Sequence, residues 1–446
     1  MRRLIFAAAA SLAALALPAH AIEGGGSRIQ RVVSPGGIEA WLVSEPAIPM
    51  VAVEVGFEGG GRLDGPDRMG AAYLASGLIE EGAGDMDSQA FARRLEDLSA
   101  RMSFESGRDG FQVSVRSLTE NLPETMALLE TALTEPRFEP RQVERVREQV
   151  LSGLRSSAVD PQSQAGRAWF EAMFGDSAYG RPFKGTIESV EALTREDLLA
   201  VWDEMVARDR MTIGVVGDID AETLGPLLDE TFGGLPERGA LEAEPLPVRA
   251  EGGVEVIEAD VPQSVVVFGH EGILREDPDF IPAYVMNYVL GGGGFESRLY
   301  REVREKEGLA YSVYSYLNPL DRAGLYMGGT GTQNERVADA VAIIRREWAR
   351  MAEEGVTDEE LERAKKYLTG AFALRFDSNA KIARYLVGLQ QAGLGIGYID
   401  ERNGLVDAVT KEDIQRVAQR LLKPESLFVV VAGKPEGLES TAAPSQ

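Results

Sequence analysis

The feature that most constrains the fold is an internal duplication with a spacing of about 216 residues. Thr194 and Thr410 each begin the same pattern, a threonine followed by one basic and two acidic residues, and they lie 410 − 194 = 216 positions apart. The apolar segments that follow end at Gly217 and Gly433, again 433 − 217 = 216 positions apart. Threonine is a favoured helix N-cap and acidic residues suit the first turn, so both copies predict a helix start. The repeated offset predicts two homologous domains.

Each half shows the same order of predicted elements: two strands, helices, an antiparallel strand pair, more helices and a last strand. The clearest strand patterns cover residues 50–55, 111–115 and 265–268, and the clearest helical ones cover 123–134, 140–155 and 336–351. Strands with segregated helices predict an α+β fold. We therefore expect two domains, each a mainly antiparallel sheet covered by helices on one face.

The N-terminus has the pattern of a secretory signal peptide. Arg2 and Arg3 precede a short apolar run, and Ala19-His20-Ala21 has the small-x-small pattern of a cleavage site. No later run of about 18 apolar residues predicts a membrane span. The chain lacks cysteine, which excludes disulfides and lipoprotein attachment. These features predict a bacterial periplasmic or secreted protein.

The predicted boundaries follow from the duplication and from composition. Residues 235–253 contain Pro236, Pro245 and Pro247 without sustained periodicity, which is typical of a linker. The predicted parts are a signal peptide at 1–21, an N-terminal domain at 22–234, the linker at 235–253, a C-terminal domain at 254–436 and a disordered tail at 437–446.

The chain is strongly acidic, with a formal net charge of −25 that becomes −25 − 2 = −27 without Arg2 and Arg3. Such a surface repels nucleic acid and anionic membranes, so neither is expected as a partner. The charge could favour basic peptides as ligands, although solubility is a simpler explanation.

One stretch of the second half concentrates unusual local signals. It begins with the glycine run Gly291, Gly292, Gly293 and Gly294, whose first member is a natural helix C-cap and whose others permit close approach. Phe295, Leu299 and Val303 then recur at helical spacing and predict a core-facing stripe. Pairs of opposite charge at positions 298/302, 301/305 and 302/306 are expected on its exposed sides. Gly308 predicts the helix end, before a strand over 309–316.

The segment from Ser297 to Tyr311 resembles the second domain of the M16 family of zinc metallopeptidases, which includes insulinase and processing peptidases. The resemblance rests on Ser-Arg-Leu, Val-Arg-Glu and Gly-Leu-Ala-Tyr at the family's spacing. It covers nearly all of the chain after the predicted signal peptide. It implies that Arg304 and Tyr311 help to hold the substrate backbone beside the zinc ion. The alternative is that Arg304 pairs with a carboxylate and Tyr311 packs on a sheet.

The zinc motif of that family is missing. An active member needs H-x-x-E-H on a helix, two zinc ligands with a water-activating glutamate between them, and a later glutamate ligand. Only two histidines exist, His20 and His270. The resemblance places the motif at Tyr73, Ser76 and Gly77, and the later ligand at about Gly153. All four positions have lost their chemistry, so no metal site is predicted.

Other candidate sites are weaker. The acidic residues Glu80, Glu81, Asp85 and Asp87 could bind a hard cation weakly, although a solvated turn is the simpler interpretation. His270 is expected to be an ordinary hydrogen-bonded histidine, with contact to a substrate or partner as the alternative. The glycine run lacks the preceding strand and the Gly-Lys-Ser/Thr of a phosphate-binding loop. A Ser/His/Asp or Cys/His set is impossible with this composition.

The resemblance implies a division of labour, since some M16 peptidases consist of two related subunits. One carries the zinc motif, and the other lacks zinc but presents the Arg/Tyr pair. We expect this chain to be the non-catalytic, substrate-binding subunit of a periplasmic heterodimer, without a cofactor of its own. Its partner would be a homologous H-x-x-E-H subunit holding Zn. The alternatives are a peptide-binding or scaffold protein without peptidase activity, and an independent peptidase with another metal set.

Overall fold

The computed structural model describes residues 28–238, 245–249 and 251–441. The predicted signal peptide lies outside the described residues. The strands are β1 Ile29–Val33, β2 Glu39–Ser44, β3 Met50–Glu58, β4 Gly82–Ala83, β5 Met86–Asp87, β6 Arg101–Ser106, β7 Gly110–Leu118, β8 Met211–Gly217, β9 Gly253–Glu258, β10 Gln263–Glu271, β11 Ala310–Pro319, β12 Gly324–Gln333 and β13 Phe428–Gly433.

The α-helices alternate with these strands in both halves. They are α1 Ala71–Ser76, α2 Ser88–Asp97, α3 Leu122–Thr134, α4 Pro140–Val159, α5 Pro161–Phe174, α6 Ile187–Ala192, α7 Arg195–Met205, α8 Ala221–Phe232, α9 Phe280–Asn287, α10 Val337–Glu354, α11 Asp358–Gly370, α12 Asn379–Gln391, α13 Tyr398–Ala408 and α14 Lys411–Leu421. Two π-helical segments, Tyr288–Gly292 and Tyr300–Lys306, lie between α9 and β11.

The two main sheets have matching strand arrangements, which confirms the predicted pair of mixed α and β domains. The first has the order β1-β2-β8-β3-β7-β6 and the second the order β11-β12-β10-β13-β9. The central strand β3 pairs antiparallel with β7 and β8, as β10 does with β12 and β13. The pairs β2–β8 and β9–β13 are parallel, so each sheet is mainly antiparallel.

The duplicated helix starts are confirmed at the level of individual hydrogen bonds. The Thr194 side chain accepts from the backbone N–H of Asp197, and the Asp197 carboxylate accepts from the backbone N–H of Thr194. Thr410 and Asp413 form the same reciprocal pair. Each box satisfies two backbone donors that a helix start otherwise leaves unpaired.

The prediction that helices cover only one face of each sheet is wrong. Helix α5 of the first half packs on β10 and β13, and α12 of the second half packs on β3 and β8. Two glycines permit this exchange, because a Cβ on Gly269 would lie 2.8 Å from the Trp169 ring and one on Gly214 would lie 3.1 Å from Leu386. The central strands are consequently buried on both faces.

Polar contacts also join the halves. The buried guanidinium of Arg62 lies 3.5 Å from Asp109 in its own half and 3.5 Å from Asp321 in the other. The hydroxyl of Tyr179 donates to Asp109 at 2.6 Å and accepts from the backbone N–H of Arg322 at 3.0 Å. The exchanged helices and this network therefore both connect the two domains.

Parts of the predicted linker and tail contact the domains. The backbone N–H of Leu246 donates to the carbonyl of Arg322, and that of Arg249 donates to the carbonyl of Met173. The Ser440 and Thr441 side chains accept hydrogen bonds from β9, so the tail is held against the sheet as far as residue 441. Within the described ranges, the search for a helix with the length and apolar character of a membrane span found none.

Candidate functional site

The structure brings Arg304 and Tyr311 together on the surface of the C-terminal half. The Arg304 guanidinium carbon lies 4.7 Å from the centre of the Tyr311 ring and 4.8 Å from that of Tyr300. A guanidinium held between two aromatic rings is stabilised by cation–π attraction and keeps its N–H donors at the edges. The sequence singled out the pair but not Tyr300, which is buried and forms the inner ring of the stack.

The donors of this pair remain available. The Tyr311 side chain is 83% exposed. Neither its hydroxyl nor the guanidinium of Arg304 forms a hydrogen bond or ion pair with the part of the chain that the structure describes. The stack therefore fixes the positions of the donors without using their hydrogen-bonding capacity.

Two backbone irregularities orient Arg304 and Tyr311 toward each other. Arg304 lies in the π-helical segment Tyr300–Lys306, and Gly308 ends that helix with a φ of +61°. At Tyr311, strand β11 carries a bulge, because Ala310 pairs with Thr332 while Val313 pairs with Thr330. Such irregularities redirect side chains and are frequent at functional sites.

The bulge corrects one expectation from the sequence. Regular alternation predicts that Tyr311 shares a face with Val313 and Ser315. Instead Val313 and Ser315 are buried, whereas Tyr311 is exposed. The extra residue in the strand turns the tyrosine outward, toward Arg304.

A buried ion pair supports the helix that carries Arg304. Arg298 is only 2% exposed, and its guanidinium donates to both carboxylate oxygens of Glu360, at 2.8 and 2.7 Å, and to the carbonyl of Gly355 at 2.7 Å. Although burial alone would raise it, the hydrogen bonds from Arg298 and Thr357 lower the pKa of Glu360 to about 2. Bidentate arginine–carboxylate pairs are strong and geometrically specific.

Of the three ion pairs expected on this helix, two differ from the prediction and one is confirmed. Arg298 was expected on the exposed side with Glu302, but it is buried because Glu360 on α11 supplies its counter-charge. Arg301 also turns to Glu360, at 3.2 Å, rather than to Glu305. The predicted Glu302–Lys306 pair is confirmed at 2.8 Å.

The predicted apolar stripe is confirmed only in part. Leu299 and Val303 are fully buried, whereas Phe295 is 70% exposed. Phe295 precedes the helix in a separate 3₁₀ turn, Gly294–Glu296, so helical spacing does not apply to it. Its ring instead packs edge-on against Tyr300, with centroids 4.9 Å apart.

A close backbone contact explains why the first residue of the glycine run, Gly291, is a glycine. The helix does not stop at Gly291 as predicted, because it continues as the π-helical segment Tyr288–Gly292. A Cβ on Gly291 would lie 2.7 Å from the backbone nitrogen of Ser315 on β11. The Ser315 hydroxyl donates to the side-chain oxygen of Asn287 at 2.8 Å, which ties α9 to the same strand. Gly291 therefore serves close packing next to the pair.

The region of the first half where the resemblance places the zinc motif offers no metal-binding chemistry. Tyr73 and Ser76 lie on α1, and Gly77 caps its end. The Ser76 hydroxyl donates to the carbonyl of Tyr73 at 2.8 Å, and the Tyr73 ring packs against Phe183. Gly153 is exposed within α4. These residues do not fit zinc, since they offer neither an imidazole nor a carboxylate.

The helix start at this region is nevertheless held tightly. The buried carboxylate of Asp64 accepts from the backbone N–H groups of Gly70 at 2.8 Å and Ala72 at 3.0 Å. Burial raises the pKa of Asp64 to about 7, even though these hydrogen bonds oppose the shift. Gly70 adopts a φ of +88°, which favours glycine.

The remaining candidates have structural roles. Trp348 donates to Nε2 of buried His270 at 2.9 Å, so its proton lies on Nδ1, which donates to the carbonyl of Glu271. Burial lowers the pKa of His270 to about 4. Among the predicted acidic cluster, Glu81 pairs with Arg145 and Asp87 caps α2. Within the described ranges, no group of three or more His, Cys, Asp or Glu side chains is placed to hold a metal.

Comparison with known proteins gives the same family for both halves. Residues 40–187 match the family model described as insulinase (peptidase family M16), and residues 192–368 match the model described as peptidase M16 inactive domain. The non-peptidase homolog YmxG of Helicobacter pylori is 27% identical over 329 residues, which cover 74% of this chain and 76% of that protein.

Two further relatives span nearly the whole chain. An uncharacterized zinc protease of Streptomyces coelicolor is 28% identical over 420 residues, covering 92% of this chain and 90% of that protein. The crystal structure of a peptidase M16 inactive domain from Pseudomonas fluorescens superposes with a TM-score of 0.87 at 26% identity. It covers 94% of this chain and 100% of that one. The similarity thus includes proteins named as peptidases and proteins named as inactive.

Proposed function

Because the chain belongs to the M16 family and is of its inactive type, we propose that it is the substrate-binding subunit of a heterodimeric zinc metallopeptidase. The observation that carries this proposal is the contrast between its two sites. Tyr73, Ser76 and Gly77 offer no metal ligand set, whereas Arg304 and Tyr311 present unused hydrogen-bond donors on a rigid support. The missing chemistry would come from a homologous partner that carries H-x-x-E-H and holds the zinc.

In this proposal the pair binds the backbone of a peptide. The guanidinium of Arg304 and the hydroxyl of Tyr311 would donate to a carbonyl oxygen at or beside the scissile bond. Donors fixed in advance at an oxygen that gains negative charge stabilise the transition state more than the ground state. Hydrogen bonds to charged groups contribute roughly 1.5–3 kcal/mol each. The peptide itself would pair as an additional strand with a sheet edge of the partner.

We place this complex in the periplasm, on the strength of the sequence pattern at residues 1–21. The proposal therefore includes secretion of the chain and assembly with a co-exported partner. Cell fractionation that finds the mature chain in the cytoplasm would contradict this part alone.

Co-purification tests the proposal directly. The tagged mature chain is isolated from its native host, and bound proteins are identified by mass spectrometry. We expect a homologue with H-x-x-E-H, about one zinc per heterodimer, and peptide hydrolysis only when both chains are present. Hydrolysis that survives chelation, or tight stoichiometric zinc in this chain alone, would overturn the proposal. A partner without H-x-x-E-H would favour the scaffold alternative.

A further inference from the structure

A cavity in the C-terminal half is lined by an excess of positive charge, opposite in sign to the net charge of the chain. It has a volume of about 750 Å³ and lies between α9, β11 and the segment from residue 372 to α13. Among the described residues that line it, five are arginine or lysine and none is aspartate or glutamate. In a chain with a net charge of −25, this local excess of positive charge is not a consequence of composition.

Three of the guanidinium groups have no acidic counterpart in the described part of the chain. Arg402 is only 5% exposed, and its Nη1 donates to the carbonyl of Leu368 at 2.7 Å and to Asn403 at 2.9 Å. Its Nε and Nη2 make no hydrogen bond with described residues. Arg275 donates to the hydroxyl of Tyr398 at 2.6 Å, and Arg375 lies exposed at the rim. A buried cation without a counter-ion is unfavourable unless an anion arrives.

The same three guanidinium groups influence the hydroxyl of Tyr385, which also lines the cavity. Burial raises the pKa of Tyr385 to about 12, and Tyr398 adds to the shift, while Arg375, Arg402 and Arg275 all oppose it. The other two cations of the lining are already compensated, since Lys381 pairs with Asp377 at 2.6 Å and Arg384 lies 3.7 Å from Glu54. The three uncompensated guanidinium groups therefore line the same cavity as Tyr385.

The remaining wall is apolar and aromatic. The Arg402 guanidinium lies over the Phe372 ring at 4.6 Å, and that of Arg275 lies over Phe280 at 4.2 Å. These rings hold the guanidinium groups by their faces, so the N–H donors at the edges are directed along the cavity wall. Planar donor forks beside aromatic surface suit a ligand with an anionic head and an apolar body.

We propose that this cavity binds a carboxylate attached to an apolar body, with Arg275, Arg375 and Arg402 around the carboxylate and the aromatic wall against the body. The site is distinct from the Arg304–Tyr311 pair, and its occupancy requires neither a partner nor peptide hydrolysis. Two classes of ligand carry such a carboxylate: a peptide with an apolar C-terminus and a free fatty acid.

Titration calorimetry with the mature chain alone separates these sources. One arm compares an acetylated Phe-Ala-Leu-Phe peptide with its C-terminal amide, and the other compares dodecanoate with dodecanol. We expect at least one carboxylate ligand to bind, and its neutral counterpart to bind at least about tenfold more weakly, as expected when a charge-assisted pair is lost. The arm that binds identifies the source.

Arg375→Gln is the variant that tests the assignment, because Arg375 is exposed and its replacement leaves the core intact. It is expected to weaken carboxylate binding about tenfold while changing binding of the neutral ligand less than about twofold. Arg336→Gln, which alters a half-exposed arginine of the same half outside the cavity, is the control. Binding of neither carboxylate, or equal binding of charged and neutral ligands, would overturn the proposal whatever the outcome for peptidase activity.

Discussion

The two halves share a strand arrangement but differ in the candidate site that each carries. In the first half, α1 is held by the buried Asp64 carboxylate, yet Tyr73 and Ser76 only pack and hydrogen-bond within the helix. In the second half, the π-helical segment and the bulge of β11 set Arg304 against Tyr311, with their donors exposed. Both halves keep the backbone framework, but only the second presents exposed side-chain donors at its candidate site.

This difference separates residues that the folded structure needs for stability from residues that it does not need. Asp64 satisfies backbone donors at a buried helix start, so its loss would be destabilising whether or not a metal binds nearby. Zinc ligands have no such packing role and can be replaced by Tyr, Ser and Gly. Tyr311 is 83% exposed and adds little to the core, and the support that Arg298 and Glu360 give to the helix of Arg304 is in keeping with the role proposed for the pair.

The largest expected effect concerns that support. Glu360→Ala leaves the buried guanidinium of Arg298 without its carboxylate and should lower the free energy of unfolding by about 3 kcal/mol, the lower end for a broken buried pair. Chemical denaturation of the mature chain measures it. Glu359→Ala, which removes an exposed carboxylate of the same helix, is the control and should change stability by less than about 0.5 kcal/mol.

The same pair predicts a pH dependence. The pKa of Glu360 is about 2 in the folded chain, below the ordinary value of 4.5. A depressed pKa means that this stabilisation is fully present above about pH 4.5 and is lost as the pH falls toward 2. Glu360→Gln should therefore flatten the stability profile between these pH values relative to the wild-type chain. Parallel profiles for the two proteins would contradict the assigned role.

Arg304→Ala should produce the next largest effect, on turnover rather than on stability. Loss of a charged donor to the developing oxyanion is expected to lower kcat of the reconstituted complex by roughly 10- to 100-fold. Lys306→Ala, an exposed cation at the end of the same helix, should leave kcat within about twofold. Steady-state kinetics and melting curves distinguish this from unfolding. An unchanged kcat would leave Arg304 with the role of a surface cation.

Tyr311→Phe is a cleaner change with a smaller effect. It removes only the hydroxyl, keeps the ring against Arg304, and should lower kcat by about tenfold. Tyr314→Phe, another exposed tyrosine of β11, provides the matched control and should have no effect on kcat. Equal losses in both variants would show that the strand surface, and not the donor at Tyr311, matters.

How far the sequence predicts the structure depends on whether a feature is local. The duplicated threonine boxes, the helix end at Gly308 and the Glu302–Lys306 pair follow from neighbouring residues and are confirmed. The burial of Arg298 could not be predicted in this way, because its partner Glu360 lies 62 residues further along the chain. The capping box Thr357-x-x-Glu360 predicts a helix start, but it does not predict that Glu360 also binds Arg298.

The packing of a helix from each half on the sheet of the other half could not be predicted from the sequence either. The second sheet face is covered by a helix from the other half, and only the near-contacts of Gly214 and Gly269 in the structure reveal why those strands carry glycine. The bulge that exposes Tyr311 depends on strand register, which periodicity does not determine. The pair itself was named from the family resemblance, whereas its rigid stack with Tyr300 required the structure.

The smallest expected effect tests the first half. Within the described residues, the Ser76 hydroxyl bonds to the carbonyl of Tyr73 alone and the Tyr73 hydroxyl makes no hydrogen bond, so Ser76→Ala and Tyr73→Phe each remove one hydroxyl. If the region has lost all chemistry, both variants should leave kcat of the complex within about twofold and change stability by less than about 1 kcal/mol. Steady-state kinetics of the reconstituted complex and chemical denaturation of the chain measure these effects for both variants, with Tyr311→Phe as the positive control. A tenfold loss in either would mean that the first half still contacts the substrate, and the contrast between the halves would fail.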